Sequence, residues 1–306
     1  MPHQPARITI IDTDPGIDDA VAILLALGSP EFDIRGITTV AGNIGITTTT
    51  RNAGRILALA GRRDIPVIAG AKAPLSRKGF DTVDIHGNDG LGGVRFPEPA
   101  APPIGDDAVA WLARTLDGFP AGAVDILALG PLTNIARLLS EHPVSARRIG
   151  RLIAMGGAMH EPGNIGPKAE FNIAADPEAA EIVFASAIQV TLIPLDVTRK
   201  VRADRAYLAA LRAAAKPAAT AAAELIDAYF QSTTGGESRP LHDPCVMLYA
   251  LEPGLFGCEP FGLRVDTGDT RDAGALTVDA GAAAISVAMI VDAPGALDLL
   301  RQRLVS

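Results

Sequence analysis

Short β-branched apolar runs alternate along this chain with longer segments of helical periodicity, and few folds accept that order. Ile8 to Ile11, Gly36 to Val40, Val67 to Ala69, Asp125 to Leu129, Arg151 to Met155 and Val190 to Pro194 read as buried strands. Between them, Ala20 to Leu27, Thr49 to Ala60, Ala108 to Leu116, Leu132 to Leu139 and Pro177 to Phe184 read as helices. The alternation predicts an α/β fold with a mostly parallel, mixed central sheet covered by helices on both faces. An Ala-rich helical stretch from Asp204 to Phe230, a β-rich segment from Gly262 to Val291 and a helix from about Gly295 to Leu304 complete the pattern. No Ser-rich or Pro-rich linker interrupts it, so residues 1–306 are expected to form one domain. Two stretches stand outside the periodicity, Ala71 to Asp106 and Gln231 to Arg239 with Gly235 and Gly236, and each is a candidate lid.

Composition narrows the function classes. With 48% hydrophobic and 20% charged residues the chain lies far from disordered compositions. Its 27 Lys and Arg against 35 Asp and Glu give a net charge of −8 without a basic stripe, which argues against a nucleic-acid partner. Cys245 and Cys258 form neither a disulfide framework nor a structural zinc pattern. The first residues carry too short an apolar run for a signal peptide, and no stretch approaches the ~18 apolar residues of a membrane helix, so a cytoplasmic location is expected.

In open parallel sheets ligands bind beyond the carboxyl ends of the strands, and residues that follow the predicted strands are mostly Asp, Asn and Gly. The densest group is DTDPGIDDA, where Asp12, Asp14, Asp18 and Asp19 crowd a strand-to-helix turn. One or two would serve as helix caps, but four repel one another unless a cation joins them. Carboxylate oxygens without His or Cys favour Ca²⁺ or Mg²⁺ over zinc. Farther on, AEFNIAADPEAA supplies Glu170 and Asn172, which face the same side if the segment is extended. Asn164 lies just before it, LHDPC supplies His242 and Asp243 ahead of a predicted helix from Cys245 to Leu251, and DIHGNDG supplies His86.

Taken in order, DTDPGIDDA, TTVAGN, DIHGNDG, ALGPLTN, MGG, AEFNIAADPEAA and HDP resemble the inosine-uridine-preferring nucleoside hydrolases over about four fifths of the chain. The resemblance implies a single Rossmann-like α/β domain, a Ca²⁺ cofactor, a ribonucleoside substrate and a homo-dimer or homo-tetramer. By position, Asp14, Asp19, Asp243 and the backbone carbonyl of Leu129 match metal ligands. Asp18 and Asn172, with Asn43 beside them, match residues that hold the ribose 2′- and 3′-hydroxyls, Asp243 also faces substrate, and Asn164 and Glu170 match the 5′-hydroxyl side. Asp14 matches the base that takes a proton from water, and His242 the acid that serves the departing base, at a pKa expected near 6.5. His86 matches a second His near the base, and Phe171 lies in a site segment. Phe230 stands where relatives place a Tyr, with Tyr229 expected to face about 100° away on its helix. The activity implied is hydrolysis of N-glycosidic bonds to ribose and free base, as in nucleoside salvage. Two other readings follow from the Asp-rich turn and the acidic pocket: a Mg²⁺-dependent phosphatase with an Asp nucleophile, and a non-catalytic module that binds ribose or nucleoside.

Overall fold

A computed structural model describes residues 6–232 and 238–306. Gly235 and Gly236 of the second candidate lid lie outside the described residues. The strands are β1 (Arg7–Thr13), β2 (Phe32–Thr39), β3 (Val67–Ala69), β4 (Val124–Ala128), β5 (Ile149–Met155), β6 (Val190–Ile193), β7 (Arg202–Asp204), β8 (Ser238–Pro240), β9 (Phe256–Val265), β10 (Leu276–Val278) and β11 (Ala284–Val291). Nine of them form one sheet in the order β10-β9-β11-β6-β5-β4-β1-β2-β3, and β7 pairs with β8 separately. From β3 across to β11 neighbouring strands are parallel, while β9 and β10 run antiparallel at one edge. The mostly parallel, mixed α/β sheet expected from the alternation is therefore present.

Strand β1 explains why the sheet forms and where it binds. Ile10 and Ile11 are fully buried on opposite faces, each in a different apolar cluster, as the period-two geometry of a strand dictates. One cluster takes in the helices Ile17–Leu27, Pro244–Leu251 and Ala293–Leu304, and the other takes in Ala108–Asp117, Thr133–Glu141 and Pro177–Phe184. From β1 the chain moves outward to β2 and β3, then returns to β4 on the other side. This reversal opens a crevice at the carboxyl ends of β1 and β4, where Asp12, Thr13, Asp14 and Leu129 sit.

Two local expectations change. The Ala-rich stretch from Asp204 to Phe230 is two helices, Arg205–Ala213 and Pro217–Ser232, broken at Ala215, whose φ is +53°. Pro217 starts the second helix, and a Pro disfavours helical geometry in the residue before it. The segment Phe171–Ala175 is a short helix and not an extended run, with Glu170 as its N-cap.

Candidate active site

The site grows from the turn between β1 and the helix Ile17–Leu27. Gly16 precedes that helix, and Asp19 returns its carboxylate Oδ2 to the Gly16 amide at 2.9 Å while Thr13 donates to Asp19 Oδ1 at 2.5 Å. Asn43, just beyond β2, donates its amide to Asp14 Oδ2 at 2.6 Å and its side chain to Asp19 Oδ2 at 3.1 Å. Asp14 lies between two glycines: a Cβ on either Gly42 or Gly130 would collide with its carboxylate. Backbone approach of this kind is what excludes side chains there. Beneath them Asp12 Oδ1 accepts from Thr38 at 2.5 Å and from Asn134 at 2.8 Å.

These acids are buried without a counter-charge. Asp12, Asp14 and Asp19 are fully buried and Asp243 is nearly so, and among the described residues none forms an ion pair with Arg or Lys. Asp14 Oδ1 and Asp12 Oδ2 have no hydrogen-bond partner. Burial accordingly raises the whole group: Asp12 and Asp18 to about 6, Asp14 and Asp243 well above the usual carboxylate range, and Asp19 in the same direction. Mutual repulsion adds to burial at Asp14, Asp19 and Asp243. Asp243 is the N-cap residue of the helix Pro244–Leu251, but its side chain caps nothing. It turns instead toward Asp18 and Asp19, and one carboxylate oxygen from each of the three lies within 4.8 Å of the others.

Above the acids opens a cavity of about 230 Å³. Asp18, Asn43, His86, Leu129, Asn164, Glu170, Phe171, Asn172, His242 and Asp243 all line it, so the residues singled out in the sequence converge, with Asp14 and Asp19 packed behind Asn43. Asn172 Nδ2 spans the ends of two strands, donating to Leu129 O at 2.6 Å and Met155 O at 3.2 Å. Glu170 accepts the amides of Asn172, Gly157 and Ile173 at 3.0–3.2 Å, yet burial still lifts it to about 7. The helical geometry of this segment, and not an extended one, thus brings Glu170 and Asn172 to the same cavity.

Both imidazoles are held by a hydrogen bond at Nδ1. His86 reaches the site on a one-turn helix, Val83–His86, inside the long stretch from Ala71 to Asp106. Its Nδ1 accepts the Ile17 amide at 3.0 Å, so the ring caps the same helix that carries Asp18 and Asp19. His242 Nδ1 pairs with Thr198 Oγ1 at 2.8 Å. Burial lowers both to about 4, helped at His242 by Arg199 and Arg202, in place of the 6.5 expected for His242. The aromatic assignment is also corrected. Tyr229 lines the cavity, whereas Phe230 lies under the guanidinium groups of Arg205 and Arg239, at 4.2 and 4.8 Å. Burial raises the Tyr229 hydroxyl to about 12, so it faces the cavity as a neutral phenol. Tyr229 continues the buried stripe Ala222, Leu225, Ile226, but Phe230 continues Ala223 and Ile226 equally, so the periodicity does not choose between them. Met155 of the MGG motif also lines the cavity, as do Thr82, Arg199 and Pro240, which carried no sequence signal of their own.

A family model described as inosine-uridine preferring nucleoside hydrolase matches residues 9–298. The chain belongs to that family. It is therefore an enzyme of the nucleoside hydrolase class, in line with the resemblance of its motifs, and not an Asp-nucleophile phosphatase. The pyrimidine-specific ribonucleoside hydrolase RihA of Citrobacter koseri is 43% identical over 304 residues, spanning 96% of this chain and 97% of its own. Among solved structures, the plant nucleoside hydrolase PpNRh1 is 34% identical with a TM-score of 0.93, covering 99% of this chain and 100% of its own. The purine-preferring ribonucleoside hydrolase from Gardnerella vaginalis is 30% identical with a TM-score of 0.90, covering 98% of both chains. Among the described residues no helix is long and apolar enough to cross a membrane.

Proposed function

We propose that the protein hydrolyses the N-glycosidic bond of ribonucleosides, pyrimidine ribonucleosides foremost, in a Ca²⁺-dependent reaction giving ribose and free base. The observation that carries this reading is the group of buried carboxylates that have no counter-cation of their own at the floor of a cavity edged by polar side chains. The orphaned Asp14 Oδ1 and the close oxygens of Asp18, Asp19 and Asp243 fit a hard divalent cation. In this reading Asp14, Asp19, Asp243 and the Leu129 carbonyl hold it. Calcium suits the site better than magnesium, because it accepts 6 to 8 oxygen ligands with flexible geometry. When bound, the ion supplies Lewis acidity toward water and toward the ribose diol.

The chain's own residues do the rest. Asp14 takes a proton from the attacking water. Asp18, Asn43, Asn172 and Asp243 hold the 2′- and 3′-hydroxyls, and Asn164 and Glu170 hold the 5′ side. Positive charge develops on the ribosyl ring in the transition state, and these carboxylates and amide oxygens oppose it. His242, neutral near pH 7 with Nδ1 accepting from Thr198, serves the departing base as a hydrogen-bond donor through its Nε2–H. His86, Phe171 and Tyr229 line the remainder of the base side. The 43% identity to pyrimidine-specific RihA, against 30% to the purine-preferring enzyme, supports the pyrimidine preference. A site built around ribose hydroxyls also disfavours 2′-deoxyribosides. The reading includes a homo-dimer or homo-tetramer, residues 1–306 acting as one unit, and a role in nucleoside salvage in the cytoplasm.

A substrate panel tests it: uridine and cytidine with Ca²⁺ release ribose faster than inosine and adenosine, and 2′-deoxyuridine is a poor substrate. Release of no reducing sugar from any of them by the calcium-loaded protein, with intact nucleoside recovered, would favour the binding module instead.

A further inference from the structure

The turn that follows β6, residues 195–199, touches the site from outside. Pro194 precedes a four-residue helix, Leu195–Thr198, with Arg199 as its C-cap. Asp196 is buried, and its carboxylate accepts three consecutive amides of a distant loop: Met159 at 2.8 Å on Oδ2, and His160 and Glu161 at 2.7 and 3.2 Å on Oδ1. One turn later Arg199 reaches the next residues of that same loop. It donates to the Pro162 carbonyl at 2.7 Å, the Gly163 carbonyl at 3.0 Å and Glu161 Oε2 at 3.1 Å. The backbone donors of residues 159–161 thus go to one carboxylate, and the carbonyls of 162 and 163 to one guanidinium.

The next residue in the loop is Asn164, which lines the cavity although it is largely exposed. Its Oδ1 accepts the Phe171 amide at 2.8 Å, which ties the cavity wall to the same loop. An exposed loop without regular secondary structure has little packing to fix it, so its geometry depends on such ties. We infer that Asp196 and Arg199 are positioning residues: together they clamp residues 159–163 and thereby set Asn164 against the 5′ side of the ribose. The inference rests on the proposed role of Asn164 toward the 5′-hydroxyl. Asp196 is the cleaner member of the pair, because Arg199 itself edges onto the cavity and Asp196 does not line it.

The test compares uridine with 5′-deoxyuridine, which keeps the 2′,3′-diol and lacks only the hydroxyl in question. Both substrates are measured on the same preparation of calcium-loaded enzyme, so the ratio does not depend on how much of a variant is folded. Asp196→Asn and Arg199→Ala are each expected to lower kcat/KM on uridine by roughly 10- to 100-fold, and on 5′-deoxyuridine by about 3-fold or less. Arg199→Lys should recover part of the loss. Hydrogen exchange of the amides of residues 159–161 should quicken in both variants. Asn164→Ala, run in parallel, separates the clamp on the loop from the role of Asn164 itself. If Asn164→Ala discriminates between the substrates and Asp196→Asn and Arg199→Ala do not, the clamp is wrong. Unchanged uridine kinetics or unchanged exchange in those two variants overturns it as well. If all three variants lose equally on both substrates while exchange at 159–161 quickens, the clamp on the loop stands and the 5′-hydroxyl role of Asn164 falls.

Discussion

Strands β1 and β4 carry buried carboxylates at both ends, and the two ends are treated differently. Near the start of β4, Asp125 is 1% exposed and held by two arginines: Arg7 at 2.7 and 3.1 Å, and Arg151 at 2.7 and 3.0 Å. At the far end of β1, Asp12 and Asp14 are just as deeply buried, with Asp19 and Asp243 beside them and no Arg or Lys paired to any of them among the described residues. A carboxylate buried for structure alone brings its own partners, a cation as at Asp125 or amide donors as at Asp196, since an unpaired buried charge is strongly destabilising. The opposite end lacks that cation and carries raised pKa values. In the proposed reading their partner is a cation from solution.

Mutating the two ends should therefore give opposite signatures. The largest effect is expected at the site: Asp14→Asn should lower kcat on uridine by about 10³-fold or more, while the cation-free protein gains urea stability because one repelling charge is gone. Near-normal turnover in this variant would remove Asp14 from the chemistry. Next comes His242→Ala, with a loss of roughly 10²-fold on uridine and little on a riboside whose leaving group is p-nitrophenolate. Equal losses on the two substrates would mean that His242 does not serve the base. At the structural end, Asp125→Asn should leave kcat of the folded enzyme unchanged but lower stability by about 2 to 3 kcal/mol, a figure reduced for the partial exposure of both arginines. A loss of turnover without a loss of stability would erase the distinction between the ends.

The smallest effect concerns pH. Burial holds Asp12 at about 6 and Glu170 at about 7 in the fold, above their ordinary 3.8 and 4.5. Asp14, Asp18, Asp19 and Asp243 are raised as well, and these six acids outnumber His86 and His242, which burial lowers to about 4 and which favour the unfolded chain below about 6.5. The folded, cation-free chain therefore binds more protons than the unfolded chain, so stability rises as pH falls and is lost as pH rises through 6 to 7. The urea midpoint in chelator should accordingly increase from about pH 8 to about pH 5.5. With Ca²⁺ present the trend should flatten or reverse, because protons then compete with the ion. A midpoint in chelator that falls on acidification would contradict the charge assignment.

Much of this was legible in the chain itself, for physical reasons that differ from residue to residue. The β-branched runs specify a parallel sheet because they must be buried on both faces, and the four aspartates mark its binding end because their repulsion has no other use. What stayed hidden depended on contacts between distant segments. Glu170 and Asn172 reach the cavity through a five-residue helix that an extended reading misses. Tyr229 and Phe230 are adjacent, and only packing of the helix Pro217–Ser232 decides which one faces the cavity. The depressed pKa of His242 comes first from burial, then from Arg199 and Arg202, which lie about forty residues earlier. Asp196 follows a strand and was visible as such, but its hold on three amides of another loop leaves no trace in composition or periodicity.

The unpaired carboxylates at the carboxyl end of β1 are proposed to form a Ca²⁺ site on which ribonucleoside hydrolysis depends. The most direct test is ribose release from uridine after exhaustive dialysis against chelator, followed by titration with Ca²⁺ and a parallel thermal melt. Activity is expected to disappear on dialysis, to return with a stoichiometry of about one ion per chain, and to rise together with the melting temperature. Full activity in chelator, with metal analysis finding no bound divalent ion, would contradict it.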